Sequence, residues 1–165
     1  VSSPRLVGAD TMNLWIDTAR DRLLELLPRV NGLILNDEEA RALAHDQNLI
    51  SAMRRIRAMG PSILIVKKGE HGAVLLHDDR YFALPAYPLT DVRDPTGAGD
   101  TFAAGVMARL SGTRDLSPRG LRDAMLYGTV LASFCVEDFS LDRLVAVTAD
   151  DVRRRVADLV EFVRV

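Results

Sequence analysis

The chain has 165 residues, 48% of them hydrophobic, which is enough for one domain with a real core. Its 21 basic and 23 acidic residues give a net charge of −2, and the basic ones are scattered among acids, which excludes the continuous basic face of a nucleic-acid binder. The single cysteine, Cys135, can form no internal disulfide, which fits a reducing cytoplasm; the longest apolar run, 125–136, is broken by Gly128 and is too short to cross a bilayer.

In chain order, residues 6–9 read as a short buried strand, followed by Asp10-Thr11-Met12-Asn13. Residues 14–27 carry a helical pattern with Trp15, Ala19, Leu23, Leu26 and Leu27 on one side, and Pro28 ends it or occupies its last turn. Residues 32–35 form a second buried strand. Helical patterns at 37–44 and 49–59 come next, closed by Gly60-Pro61, and 62–66 form a third strand. This alternation predicts an α/β fold with a mainly parallel sheet flanked by helices. Residues 72–76 and 81–84 flank His77-Asp78-Asp79-Arg80 and predict a hairpin after the third parallel strand.

The remainder reads as helical at 101–110, 121–136 and 149–163, with Gly112 as a stop signal for the first and Thr148 with Asp151 as the N-terminal cap of the last. Arg54-Arg55 and Arg153-Arg154-Arg155 sit in helical patterns beside acids and predict solvated faces. Cys135 reads as a core residue, and His45, His71 and His77 have no metal spacing and read as surface residues. In doubly wound sheets ligands bind beyond the carboxyl ends of the strands, where Asp10, Asn36 and Lys67 fall.

The stretch Asp94-Pro95-Thr96-Gly97-Ala98-Gly99-Asp100-Thr101 concentrates the chemistry. It sets a glycine turn before a helix whose apolar residues Phe102, Val106 and Leu110 recur every four. Amides at a helix start have no internal partner and lie at the positive end of the helix dipole, so the amides of Gly97, Ala98 and Gly99 form a candidate cradle for a phosphate-like anion. A carboxylate at its mouth, Asp100, is badly placed to bind an anion but well placed to take a proton from a group attacking it. An ordinary capped helix start is the competing reading. A dinucleotide fingerprint is excluded because Phe102 stands where its third glycine would be, and a Walker loop because the chain has no Gly-Lys pair.

Residues 94–105, DPTGAGDTFAAG, resemble the second signature of the ribokinase-like (PfkB) carbohydrate kinases. The resemblance implies ATP- and Mg-dependent phosphorylation of a sugar or nucleoside hydroxyl, with Asp100 as catalytic base and Gly97, Ala98 and Gly99 as anion hole. It also implies further roles. Asn36 and Glu39, which by themselves read as a helix capping box, resemble the pair that organises Mg, largely through water. Lys67 and Gly69 resemble a segment near the nucleotide phosphates, though 66–72 also reads as a plain hairpin entry. Gly128 falls where relatives form part of the adenine pocket. Asp94 orders the loop or lies near a monovalent cation site. Asp10 resembles an acid at a strand end facing the active site, with a helix cap as the competing reading.

The chain begins at Val1, contains no Gly-Gly pair, and is about half the length expected of the family. It therefore resembles the carboxyl-terminal half, with the amino-terminal half and its β lid absent and the isolated chain inactive. The expectation is a single nucleotide-binding domain over 1–165, cytoplasmic, whose exposed sheet is covered by the missing half or by a second copy in a homodimer. The alternatives are a non-catalytic nucleotide-binding or regulatory module and a dimerising structural domain.

Overall fold

The computed structural model describes residues 4–164. They divide into two compact units, one running to Gly69 and including Ala73–Ala83, the other comprising Glu70–Gly72 and the chain from Leu84 onward.

The first unit is built on a sheet of strands β1 (Gly8–Asp10), β2 (Gly32–Asn36), β3 (Ile63–Lys67), β4 (Ala73–His77) and β5 (Arg80–Leu84), in that spatial order. β1, β2 and β3 are parallel and β4 runs antiparallel to β3, as the alternation and the hairpin signal predict. The hairpin turns through Asp78 and Asp79, both at positive φ, which short polar side chains tolerate. In β2 and β3 the first four residues are buried without alternation, so both faces of these strands are covered. Leu33, Leu35, Leu64, Val66, Val74 and Leu76 share one core cluster with Ala40 and Leu43 of α3 (Asp37–Ala44) and Met53 and Ile56 of α4 (Leu49–Ala58).

The helix expected over 14–27 is broken. α1 (Asn13–Thr18) and α2 (Arg20–Leu26) meet at Ala19, whose φ of −137° leaves the helical region, and Leu27–Arg29 form a 3₁₀ turn around Pro28. Two apolar faces result from this break. Ile16, Leu23 and Leu27 are buried, whereas Trp15 and Leu26 stay 51% and 43% exposed. β1 is shifted two residues from the expected start because the backbone pairing begins opposite Gly32. It is an edge strand, and Met12 and Leu14 just beyond it are exposed.

The second unit is helical. α5 (Ala98–Thr113) and α6 (Pro118–Cys135) form an extensive pair, and α7 (Asp142–Ala146) and α8 (Ala149–Phe162) complete the unit. Phe102, Val106 and Leu110 face the core, as their spacing predicts. α5 starts three residues before the expected Thr101, because Ala98, Gly99 and Asp100 enter its first turn. It ends at a left-handed Arg114 rather than at Gly112. α6 starts at Pro118, earlier than the expected Leu121, with the Ser117 side chain as cap and proline in the first turn where its missing N–H costs nothing. Thr148 and Asp151 form the predicted capping box of α8. The short helix α7 has no counterpart in the sequence pattern, because it buries no side chain and so leaves no periodic signal.

Candidate active site

In the first unit, Asp10, Asn36 and Lys67 are the last residues of β1, β2 and β3. Asn36 and Lys67 are partners in the parallel register, so they sit side by side at the sheet's carboxyl edge. Lys67 Nζ lies 3.4 Å from Asp10 Oδ2, with the lysine side chain only 18% exposed. Asn36 caps α3: its Oδ1 accepts from the Glu39 amide at 2.8 Å, and the Asn36 amide donates to Glu39 Oε2 at 2.8 Å. This box commits one oxygen of each side chain. Glu39 is 6% exposed, and burial raises its carboxyl pKa; the Asn36 amide and the Lys67 charge oppose that rise, and Asp10 adds to it. Gly69 has a left-handed φ of 56° with open space where a side chain would stand.

In the second unit, the loop ahead of α5 is ordered by its own short contacts. Asp94 Oδ1 accepts from the Thr96 amide at 2.9 Å, and the Thr96 hydroxyl and amide hold the Asp94 carboxyl below its ordinary pKa. The Arg93 and Asp94 amides both donate to the Val136 carbonyl, at 2.8 and 3.4 Å, and Cys135 Sγ donates to the Thr96 carbonyl at 3.6 Å. Cys135 is thus a core residue directly under the loop. Gly97 is the N-cap of α5 at φ 80°, a left-handed conformation that glycine adopts without strain. The Ala98 amide donates to the Pro95 carbonyl at 3.2 Å. Among the described residues the amides of Gly97, Gly99 and Asp100 have no acceptor, and the exposed Asp100 carboxylate has no hydrogen-bond or ion-pair partner. Free amides at a helix start can hold an anion, and a carboxylate without a partner can accept a proton.

Gly128 lies inside α6, where a Cβ would come 2.7 Å from Val106 Cγ2 and 2.8 Å from the Phe102 carbonyl oxygen of α5. Gly105 faces it, 2.9 Å from Gly128 Cα by the same measure. Close packing of the two helices accounts for this glycine.

The histidines and arginines depart from the surface reading in two places. His77 is largely covered, with Nδ1 3.1 Å from the Ser62 carbonyl. Arg155, expected on a solvated face, is 16% exposed and pairs with Glu137 at 2.6 Å. Sequence spacing gives no signal for a contact between α8 and a residue 18 positions earlier, just past the end of α6, nor for the Val136 carbonyl that holds the loop. Among the described residues no group of three or more His, Cys, Asp or Glu is placed to hold a metal, and no helix is long and apolar enough to cross a membrane.

The pfkB family carbohydrate kinase model matches residues 9–145. The chain belongs to the pfkB family of carbohydrate kinases. It is similar to a cytidine kinase of Thermococcus kodakarensis, 34% identical over 59% of this chain and 35% of that kinase. It is also similar to a nucleoside kinase of Methanocaldococcus jannaschii, 32% identical over 72% of this chain and 37% of the relative. The crystal structure of that M. jannaschii protein, described as an archaeal member of the ribokinase family, matches with a TM-score of 0.75 at 28% identity, covering 93% of this chain and 48% of the other. Aminoimidazole riboside kinase from Salmonella enterica, solved with aminoimidazole riboside and an ATP analog, matches with a TM-score of 0.80 at 21% identity over 92% of this chain and 52% of that one, a likeness of fold. The pfkB chain therefore has the ribokinase-like fold, a five-stranded mixed sheet flanked by helices. It spans about a third to a half of the length of these relatives.

Proposed function

We propose that this chain supplies the catalytic base, the anion hole and the nucleotide side of a kinase that transfers the γ-phosphoryl group of ATP to a hydroxyl of a sugar or nucleoside. The observation that carries this reading is the unpaired Asp100 carboxylate beside the free Gly97 and Gly99 amides at the start of α5. Asp100 takes the proton of the attacking hydroxyl as its oxygen bonds to the γ-phosphorus. The bond to the β–γ bridging oxygen breaks, and ADP leaves with that electron pair. The Gly97 and Gly99 amides stabilise charge on the transferring oxygens, and the Ala98 amide, engaged by Pro95, contributes by holding the turn. Positioning and electrostatics dominate catalysis of this kind.

Lys67, held by Asp10, offers its charge to the nucleotide phosphates, and Gly69 permits close backbone approach to them. Asn36 and Glu39 fit a hydrated magnesium ion: both are oxygen donors, and the capping box leaves each with polar capacity for water. Such an ion, when bound, neutralises phosphate charge. The Thr96 contact of Asp94 supports a loop-ordering role for that acid over a monovalent cation site. Gly128 serves the nucleotide side indirectly, by keeping α6 close to α5.

The test is Asp100→Asn in the full-length protein. Nucleotide binding persists while phosphoryl transfer falls by about 10³-fold, the scale of a general base. Turnover within a few-fold of the parent protein overturns the assignment.

A further inference from the structure

We propose that Glu137, gripped by Arg143 and Arg155, is a positioning residue for the glycine loop, so that the two carboxyl-terminal helices brace the anion hole from behind. The kinetic arm of this proposal rests on the kinase reading above; its structural arm does not.

At the loop entry, the Arg93 and Asp94 amides converge on one acceptor, the carbonyl of Val136, and the Thr96 carbonyl receives the Cys135 thiol. The loop therefore takes its place from the last turn of α6. The segment just past that turn is weakly built by itself. Residues 137–141 form no helix or strand, Ser140 has a left-handed φ of 54°, and Phe139 and Leu141 are exposed.

Glu137 is the exception. Its Oε1 accepts from Arg155 Nη2 at 2.6 Å and its Oε2 from Arg143 Nε at 2.9 Å, so both oxygens are taken by cations of α8 and α7. The three side chains are 21%, 16% and 33% exposed, which limits screening by water. Arg155 does more than pair. Its second terminal nitrogen donates to Ser133 Oγ at 3.0 Å, and its guanidinium lies 3.5 Å from the Phe134 ring centre and 4.9 Å from that of Tyr87. One side chain of α8 thus touches the end of α6 and the segment that leads into the loop. On the surface side, Arg93 adds a 3.7 Å contact to Asp138.

The apolar contribution of the bracing helices is small: α8 buries only Leu159 and α7 buries no side chain. Their attachment depends on the arginines, whose planar, fixed fork a lysine cannot reproduce. The chain of contacts runs from Arg155 and Arg143 to Glu137, through the peptide to Val136, and from its carbonyl to Arg93 and Asp94.

The experiment uses the full-length protein with Arg155→Lys and Glu137→Gln, and Arg153→Lys as a surface control. Arg155→Lys retains the charge, so it remains folded should the loss of charge in Glu137→Gln prove too damaging. Amide exchange of Arg93, Asp94, Thr96 and Ala98, the loop amides that have acceptors, is expected to quicken roughly tenfold in both variants, with β2 and β3 unchanged. In the kinase assay kcat is expected to fall roughly tenfold with the KM of the acceptor unmoved, because the loop acts on the transferring group. Unchanged exchange of these four amides overturns the proposal. So does exchange that quickens equally throughout the second unit with a matching fall in melting temperature, since that is the signature of general structural weakening. Absence of phosphoryl transfer in the parent protein would count against the kinase reading alone, and the exchange result would still decide the bracing role.

Discussion

In the first unit, Asp10, Asn36 and Lys67 each end a strand, and the register that sets Asn36 beside Lys67 is fixed by a buried apolar sheet. In the second, residues 94–100 lie in a loop and a helix start, held by single hydrogen bonds to Thr96, Val136 and Pro95. The sheet locates its polar side chains through non-directional burial, spread over many residues, so no one contact decides the geometry. The loop locates its amides through a few directional contacts. Damage to the packed core should therefore register as lost stability, and damage to the loop contacts as lost precision at the site.

The largest expected effect falls on the loop side and leaves stability untouched: Asp100→Asn lowers turnover by about 10³-fold, since the carboxylate has no structural partner to lose. On the sheet side, Leu64, the second residue of β3, is fully buried opposite Leu33 and Leu76. Leu64→Ala is expected to destabilise the first unit by about 2–5 kcal/mol, read from the denaturant midpoint at constant slope. A loss below about 1 kcal/mol would mean that burial does not fix the register. Gly128→Ala sharpens the comparison further. Its new methyl would stand 2.7 Å from Val106 and 2.8 Å from a Phe102 backbone oxygen that has little freedom to move. A cost of about 1–3 kcal/mol is expected, with faster exchange in α5 and α6 and none in β2 or β3. Faster exchange in both units would show that they do not respond separately.

The same contrast explains what could be read from the sequence. Strands 32–35 and 62–66 were legible because continuous apolar runs between turn signals mark buried strands; the structure extends the first to Asn36 and shifts the second by one residue, to Ile63–Lys67. The α5 face was legible because Phe102, Val106 and Leu110 keep a period of four. The glycine loop was legible as a motif, but its helix start was not: Ala98 and Gly99 carry no start signal, and Gly97 acts as cap through its φ rather than through a side chain. The break at Ala19 left no trace because neither proline nor glycine stands there. The ties among Glu137, Arg143 and Arg155 and the hold of Val136 on the loop depend on tertiary placement, which no local pattern encodes.

The smallest expected effect concerns acid. Asp94, Asp115 and Asp151 in the second unit each have a carboxyl held below its ordinary value of 3.8, chiefly by a hydroxyl and amide from Thr96, Ser117 and Thr148 respectively. Asp46, held low by Ser51 and the Asn48 amide, is the counterpart in the first unit. A carboxyl whose folded pKa lies below its unfolded one stabilises the fold while ionised. That contribution is complete above the ordinary value and is lost as pH falls through the lowered one. The exchange of amides at Thr96, Ser117 and the first turn of α8 is therefore expected to quicken below about pH 3.8, before that of β2 and β3, because the apolar core holds no lowered carboxyl and the buried acid at the sheet edge, Glu39, is shifted upward, so its protonation does not cost stability. Asp151→Asn should remove the acid limb at α8 and leave the one at Thr96 in place, as the two carboxyls share no partner. Loss of protection in loops and sheet together at one pH would show that a single global transition, rather than separate polar contacts, governs the chain in acid.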